Sequence, residues 1–215
     1  MYKRQALKRG SSSDLNLIEY GGDNAKSTDF DSSFEKNFGV IKGDYAFKVC
    51  RIVPENNIEL ILNVFSRSEK KLVLVGNWQV SDYSRMILER YSKFANLLLI
   101  GPIYEQDKID SLRSNCKMYI HGHSVGGTNP SLVEAMSLGL CVACFDVSYN
   151  RETTENCALM FSNEFDLNEI VNKSWNSVDV LSSIGSSLQS IANKRYGWAS
   201  IVDRYDSVFV HSLSR

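Results

Sequence analysis

From Tyr45 onward, short apolar runs alternate with stretches in which apolar positions recur every three or four residues, the pattern of strands joined by amphipathic helices. Ala46–Arg51 predicts a first strand, after which Ile58, Ile61, Leu62 and Phe65 share one helical face. Lys71–Gly76 is a second strand, followed by a helix from about Asp82 to Tyr91. Leu97–Ile100 is a third, with a short helix over residues 105 to 115. Lys117–Ile120, a helix over Pro130–Ser137 and a strand over Cys141–Phe145 complete the alternation. This order predicts an α/β fold, a Rossmann-like doubly wound parallel sheet with helices on both faces. Ligands of such sheets gather beyond the carboxyl ends of the strands, where the loops after Val49, Val75, Ile100, Ile120 and Phe145 emerge.

The two ends of the chain read differently. Val178–Lys194 predicts one helix, and Trp198, Ile201, Val202, Tyr205 and Phe209 repeat at the spacing of another, a stripe read as packing. Leu15–Tyr20 predicts a lone strand ending at Gly21 and Gly22, while Ser11–Ser13 and the polar run Asp23–Asp44 cannot build a core of their own. The expected organisation is therefore three pieces. Residues 1–44 are the last strand of a preceding domain and a linker, 45–195 the Rossmann-like domain, and 196–215 a carboxyl-terminal helix. Met1–Gly10 carries no interpretable pattern.

One stretch carries chemistry. Residues 122 to 136 read Gly-His-Ser-Val-Gly-Gly-Thr-Asn-Pro-Ser-Leu-Val-Glu-Ala-Met, a glycine-rich loop running into a helix that opens at Pro130. Backbone amides on the loop and the positive end of the helix dipole make a seat for phosphate, and Glu134 lies about one turn into the helix, where it could hold a sugar hydroxyl. The ligand class this implies is a nucleotide joined to something else through phosphates. A plain solvated helix glutamate is the alternative for Glu134.

Composition acts by exclusion. The chain has 215 residues, enough for one good core plus further pieces, with ordinary hydrophobic (43%) and charged (23%) fractions. A formal net charge of −1 offers no basic excess for a nucleic-acid backbone or anionic lipid, so no nucleic-acid partner is expected. The five cysteines form an odd set within or beside apolar runs, and neither a signal peptide nor a run long enough to cross a bilayer is read. A cytoplasmic location is expected. Cys141 and Cys144 have Cys-x-x-Cys spacing inside an apolar segment, which favours core packing over redox or zinc chemistry. His121 and His123 alternate along the chain without a third ligand at suitable spacing, so no metal is expected and His123 is read as bordering the phosphate pocket.

Taken together, Cys-Arg-Ile-Val-Pro-Glu-Asn-Asn (50 to 57), Leu-Val-Leu-Val-Gly (72 to 76), Leu-Ile-Gly-Pro-Ile (99 to 103), the 122 to 136 motif and Tyr-Gly-Trp (196 to 198) resemble the retaining glycosyltransferases of the two-Rossmann-domain (GT-B) kind, family four. The resemblance covers roughly residues 15 to 210 and corresponds to their carboxyl-terminal, donor-binding half. With Phe145–Asn156, the motif is similar to bacterial rhamnosyltransferases of capsule or O-antigen synthesis.

The resemblance implies transfer of a sugar, rhamnose from its thymidine diphosphate donor in the narrower reading, to a glycan or lipid-linked saccharide. No cofactor beyond that nucleotide-sugar substrate is expected. It implies that Arg51 and Glu134 are the catalytic residues, Arg51 gripping the diphosphate and Glu134 the ribose hydroxyls. Donor-binding positions fall on Asn56, Ile103, His123, Gly126, Gly127, Thr128, Asn129 and Ser131, with Ile103 and Tyr104 beside the base. Two positions depart from the family pattern. Gly126 stands where relatives have a first glutamate, and Asn56 where they have a lysine. For Arg51 the plain alternative is a strand-end arginine paired to a surface carboxylate. Arg151, Glu152 and Glu155 lie where acceptor or donor sugar could sit, and a charged helix start explains them equally.

An amino-terminal Rossmann-like partner domain is also implied, so the chain alone is expected to bind nucleotide weakly and turn over little. Contact with the inner face of a membrane would arise through a lipid-linked acceptor. The alternatives are a noncatalytic nucleotide-sugar-binding remnant or partner subunit, and a dinucleotide-type domain. The last is disfavoured because Arg51-Ile-Val-Pro-Glu-Asn carries no glycine turn.

Overall fold

The structure, a computed structural model, describes residues 16–213. Met1–Gly10, Ser11–Ser13 and Leu15 lie outside it. Six parallel strands, β1 (Tyr45–Val49), β2 (Lys71–Val75), β3 (Leu97–Ile100), β4 (Met118–His121), β5 (Val142–Phe145) and β6 (Leu159–Phe161), form one sheet in the order β3-β2-β1-β4-β5-β6. The order reverses between β1 and β4, and this is where a crevice opens in a doubly wound sheet. The predicted fold class is the observed one.

Side chains alternate across each strand, so the sheet feeds two cores. Tyr45, Phe47, Val73, Val75, Tyr119 and Val142 face one side. There they meet α4 (Gln106–Ser114), α5 (Pro130–Ser137) and α8 (Val178–Arg195) through Leu112, Leu132, Met136 and Leu188. Ala46, Leu72, Leu74, Met118, Ile120 and Ala143 face the other. Opposite them lie α2 (Ile58–Ser66), α3 (Asp82–Tyr91) and α7 (Glu164–Ser174), contributing Ile61, Phe65, Ile87 and Val171. Strands covered on both faces read as continuous apolar runs, and each fully buried Leu, Ile or Phe contributes about 2 kcal/mol. Cys141 and Cys144 fall in opposite cores, both buried and unbridged.

Four elements were not predicted: α1 (Ser32–Phe38), α6 (Ser148–Thr153), β6 and its following helix α7. One expectation is overturned. Residues 16 to 20 form no strand; they are irregular, tied down by Glu19 to Arg195 (3.2 Å) and Arg204 (2.7 Å). A lone strand would leave its backbone groups unpaired, whereas these ion pairs hold the segment without a sheet neighbour. The polar run after Gly22 is not a loose tether. Asp31 caps α1 by accepting from the Ser33 amide at 2.8 Å, and Phe34 and Val40 are buried in the first core. Its other amides find side chains on α4: Lys26 N–H donates to Asp110 (3.1 Å), Thr28 N–H to Ser114 (3.2 Å) and Asp31 N–H to Ser111 (2.8 Å). Residues 110, 111 and 114 share a helix face, so a polar strap lies along it. The last helix, α9 (Trp198–Leu213), bears the aromatic stripe; Ile201 is buried, and Tyr205 and Phe209 are exposed. Among the described residues, no helix is long and apolar enough to cross a membrane.

Candidate functional site

At the carboxyl ends of β1 and β4 lies a cavity of about 330 Å³. Its wall includes Arg51, Asn56, His123, Asn129, Ser131 and Glu134, so six of the ten predicted site residues meet there. Lys48, Arg113 and a neutral His121 also line it and were not predicted as site residues.

Arg51 lies two residues beyond the end of β1 and is exposed. Among the described residues no carboxylate pairs with it, which removes the surface ion pair as its explanation. Its backbone carbonyl accepts from the Asn56 amide nitrogen at 2.7 Å, folding the loop back on itself. That bond turns the Asn56 oxygen toward His123 Nδ1, 3.0 Å away, so Nδ1 carries the hydrogen. Asn56 is buried and its side chain is used within the protein.

The motif loop is laced to its neighbours. Ser124 donates from its amide (2.8 Å) and hydroxyl (2.9 Å) to the Glu55 carbonyl, Asn57 donates to the Gly122 carbonyl (2.7 Å), and Asn150 donates to the His123 carbonyl (2.9 Å). Gly126 has φ of 122°, a conformation L side chains rarely adopt, and a Cβ there would reach 3.4 Å from His123 Nε2. A glutamate at that position would be strained whatever ligand it met.

The helix terminus itself offers less than the sequence suggests. Asn129 caps α5 by accepting from the Ser131 amide at 3.1 Å, Pro130 has no N–H, and the Leu132 and Val133 amides donate to the Asn129 carbonyl. Any seat for an anion therefore falls on the loop amides before Pro130 and on the cationic side chains. Gly127 and Thr128 line a second cavity of about 330 Å³ with Leu17–Tyr20, Tyr149 and Arg195. Glu152 is also on that wall; Arg151 pairs instead with Asp146, and Glu155 with Arg195 at 3.0 Å. Ile103 is half-buried against the first core and is not on the wall of the Arg51 cavity, and Tyr104 is 85% exposed.

Glu134 is not a solvated helix glutamate. Its Oε2 accepts from Arg113 at 2.7 Å and its Oε1 from Asn24 at 3.0 Å. Arg113, 3% exposed, also pairs with Asp110 at 3.1 Å, so one guanidinium binds two carboxylates. A carboxylate has about four lone-pair sites, which leaves Glu134 capacity to accept from a ligand hydroxyl. Neither Asn24 nor Arg113 carried a signal in the sequence, since their roles depend on packing between segments far apart in the chain.

The histidines are held neutral. Burial, then Lys48 and then His123 keep His121 well below its ordinary value, and its ring stacks on Tyr119 with centroids 6.3 Å apart. His123 is lowered first by burial, then by Lys48 and Arg51. Among the described residues no group of three or more His, Cys, Asp or Glu side chains could hold a metal ion.

The fold has solved counterparts. The chain superposes on Anabaena HepE in complex with UDP with a TM-score of 0.79 at 18% identity, over 95% of this chain and 60% of that one. Sucrose-phosphate synthase from Thermosynechococcus elongatus gives 0.79 at 15%, over 99% and 56%. The C-terminal domain of the group 1 glycosyl transferase LpcC from Francisella tularensis gives 0.65 at 12%, over 82% of this chain and 98% of that one. The chain thus spans well under two thirds of the first two structures. No curated protein matches it in sequence. Residues 29–172, which hold all six strands and the cavity between β1 and β4, match the model of the family described as glycosyl transferases group 1, and the chain belongs to that family.

Proposed function

We propose that this chain is the donor-binding half of a retaining glycosyltransferase and holds a nucleoside diphosphate sugar in the cavity between β1 and β4. The observation that carries this is the meeting of an unpaired Arg51 with the tethered carboxylate of Glu134 in one crevice at the point where the strand order reverses. A planar guanidinium suits the diphosphate, and a carboxylate held by Arg113 and Asn24 suits the vicinal hydroxyls of a ribose. The glycosidic bond to the diphosphate breaks with its electron pair left on the diphosphate oxygen, the acceptor oxygen bonds to the same face of the anomeric carbon, and the acceptor hydroxyl's proton passes to that departing oxygen. The protein's part is to stabilise the departing charge and align the acceptor, so no attacking side chain is required.

The Anabaena HepE structures are complexes with UDP and with UDP-glucose, which supports a pyrimidine nucleotide. Rhamnose carried on thymidine diphosphate is the donor suggested by the 122 to 136 motif, and a glycan or lipid-linked saccharide the acceptor. Isothermal titration of the folded chain with UDP and thymidine diphosphate tests the reading. Saturable heat with either is expected; none with either, from protein whose circular dichroism shows it folded, overturns it.

A second reading, a noncatalytic nucleotide-sugar-binding protein, is favoured by Asn56, a neutral side chain bonded to the Arg51 carbonyl and His123 that brings no cation to a diphosphate. Release of free nucleotide from UDP-glucose or thymidine-diphosphate rhamnose, offered with acceptors to a form carrying an amino-terminal Rossmann-like domain, separates the two.

A further inference from the structure

Lys48 is the fourth residue of β1, a strand at the middle of the sheet, and it is only 1% exposed. A lysine this deep is rare unless paired, because an isolated buried ammonium is costly. Here, among the described residues, no hydrogen bond or ion pair holds it, and it lines the cavity of Arg51 and Glu134.

The charges of that cavity do not balance. Arg113 pairs with both Asp110 and Glu134 through its terminal nitrogens, while its buried Nε has no partner, so Glu134 is already paired to one cation. Arg51 and Lys48 remain without a carboxylate. His121 and His123, which line the same cavity, are pushed toward the neutral form first by burial and then by Lys48. The cavity therefore presents two basic side chains without a contacting carboxylate, a compact one on the floor whose charged form burial disfavours and a planar one at the rim, beside an Arg113 cluster with one more carboxylate than guanidinium. Asn56 is neutral; it donates one amide hydrogen to the Arg51 carbonyl and accepts from His123, so it adds no charge for an anion.

Resting on the reading above, we propose that Lys48 is a further donor-binding residue, its ammonium contacting the diphosphate of the nucleotide sugar from the floor of the cavity. It supplies the second cation that the loop after β1 does not. The ligand-free protein carries the cost of the unpaired ammonium, and the bound diphosphate relieves it.

The test compares wild type with Lys48→Met, titrated with inorganic pyrophosphate and with UDP, together with the melting temperature without ligand. Methionine keeps the length and removes the charge. Affinity for both probes should fall roughly tenfold or more, the loss of a charge-assisted contact, while the ligand-free melting temperature stays level or rises. A merely structural lysine would give the reverse: a lower melting temperature and unchanged affinity. If wild type binds UDP and Lys48→Met binds it equally well, the role of Lys48 is overturned and the donor site stands. If pyrophosphate binds through Lys48 but UDP does not bind, the anion site stands and the nucleotide reading falls. Binding of neither probe overturns both. Should Lys48→Met not fold, Lys48→Gln takes its place; failure of both variants to fold makes Lys48 structural and ends the proposal.

Discussion

At the scale of single residues, the site is a set of polar groups whose burial forces their states. His121 shows the consequence for pH. Its folded value is depressed by burial, with Lys48 and His123 adding to the effect, below the ordinary 6.5 it regains on unfolding. Below that ordinary value the unfolded chain takes up a proton that the folded chain refuses, so stability present above about pH 6.5 is lost on acidification. The slope for this one histidine approaches about 1.4 kcal/mol per pH unit. Urea denaturation from neutral pH down to about pH 5 should show it, and His121→Phe, which keeps the stacking on Tyr119, should flatten it; an equal slope in the variant would assign the loss elsewhere. Of these residues, Glu134 was legible from the glycine-rich loop and the helix that opens at Pro130, and Arg51 from the resemblance of the segment after the first strand. Lys48 left a fainter trace: a charge inside an otherwise apolar central strand, Tyr45–Val49, has no place in such a strand unless something needs it there. Asn24 and Arg113 left none, since each meets Glu134 only through the fold.

At the scale of elements, the strands were legible where burial on both faces wrote long apolar runs, and not where the run was short. β6 has three residues, too few to show a period. The helix after it did carry a readable signal: Asn163 caps it by accepting from the Asp166 amide at 3.0 Å, and Leu167 and Val171 stand one turn apart on its buried face. α1 escaped because only Phe34 of its residues is buried, so its pattern is polar. The contact of α8 with the turn after α5 was equally invisible, and it is among the tightest in the molecule. A Cβ at Gly185 would lie 2.1 Å from the Gly139 carbonyl oxygen, backbone that cannot swing aside. Gly185→Ala gains about 1 kcal/mol of helix propensity, while overpacking against backbone costs roughly 1–3 kcal/mol plus the shift of α8. Net destabilisation by chemical denaturation is the expected result. A more stable variant would mean that α8 docks less closely than this geometry requires.

Across the whole molecule, the polar strap joins segments the chain keeps far apart. It begins on α8 and α9 through Glu19, passes Asn24 to Glu134 on α5, and runs along α4 to β1. Asp110 is the junction: it accepts from the Lys26 amide at 3.1 Å on one side and holds Arg113 at 3.1 Å on the other. Arg113 in turn fixes Glu134, so the strap and the candidate ribose carboxylate share one buried guanidinium. Spatial intermediacy alone does not establish coupling, but the chemistry dictates its sign. Asp110→Asn or Glu134→Gln alone leaves Arg113 one carboxylate and costs about 1–3 kcal/mol, whereas both together leave a buried cation with no countercharge. The double variant should therefore lose more stability than the sum of the singles, by about 1 kcal/mol or more, and Asp110→Asn alone should speed amide exchange in residues 24 to 31 while the sheet stays protected. Strict additivity in the denaturation cycle would mean that the two carboxylates act independently and that the strap does not brace the site.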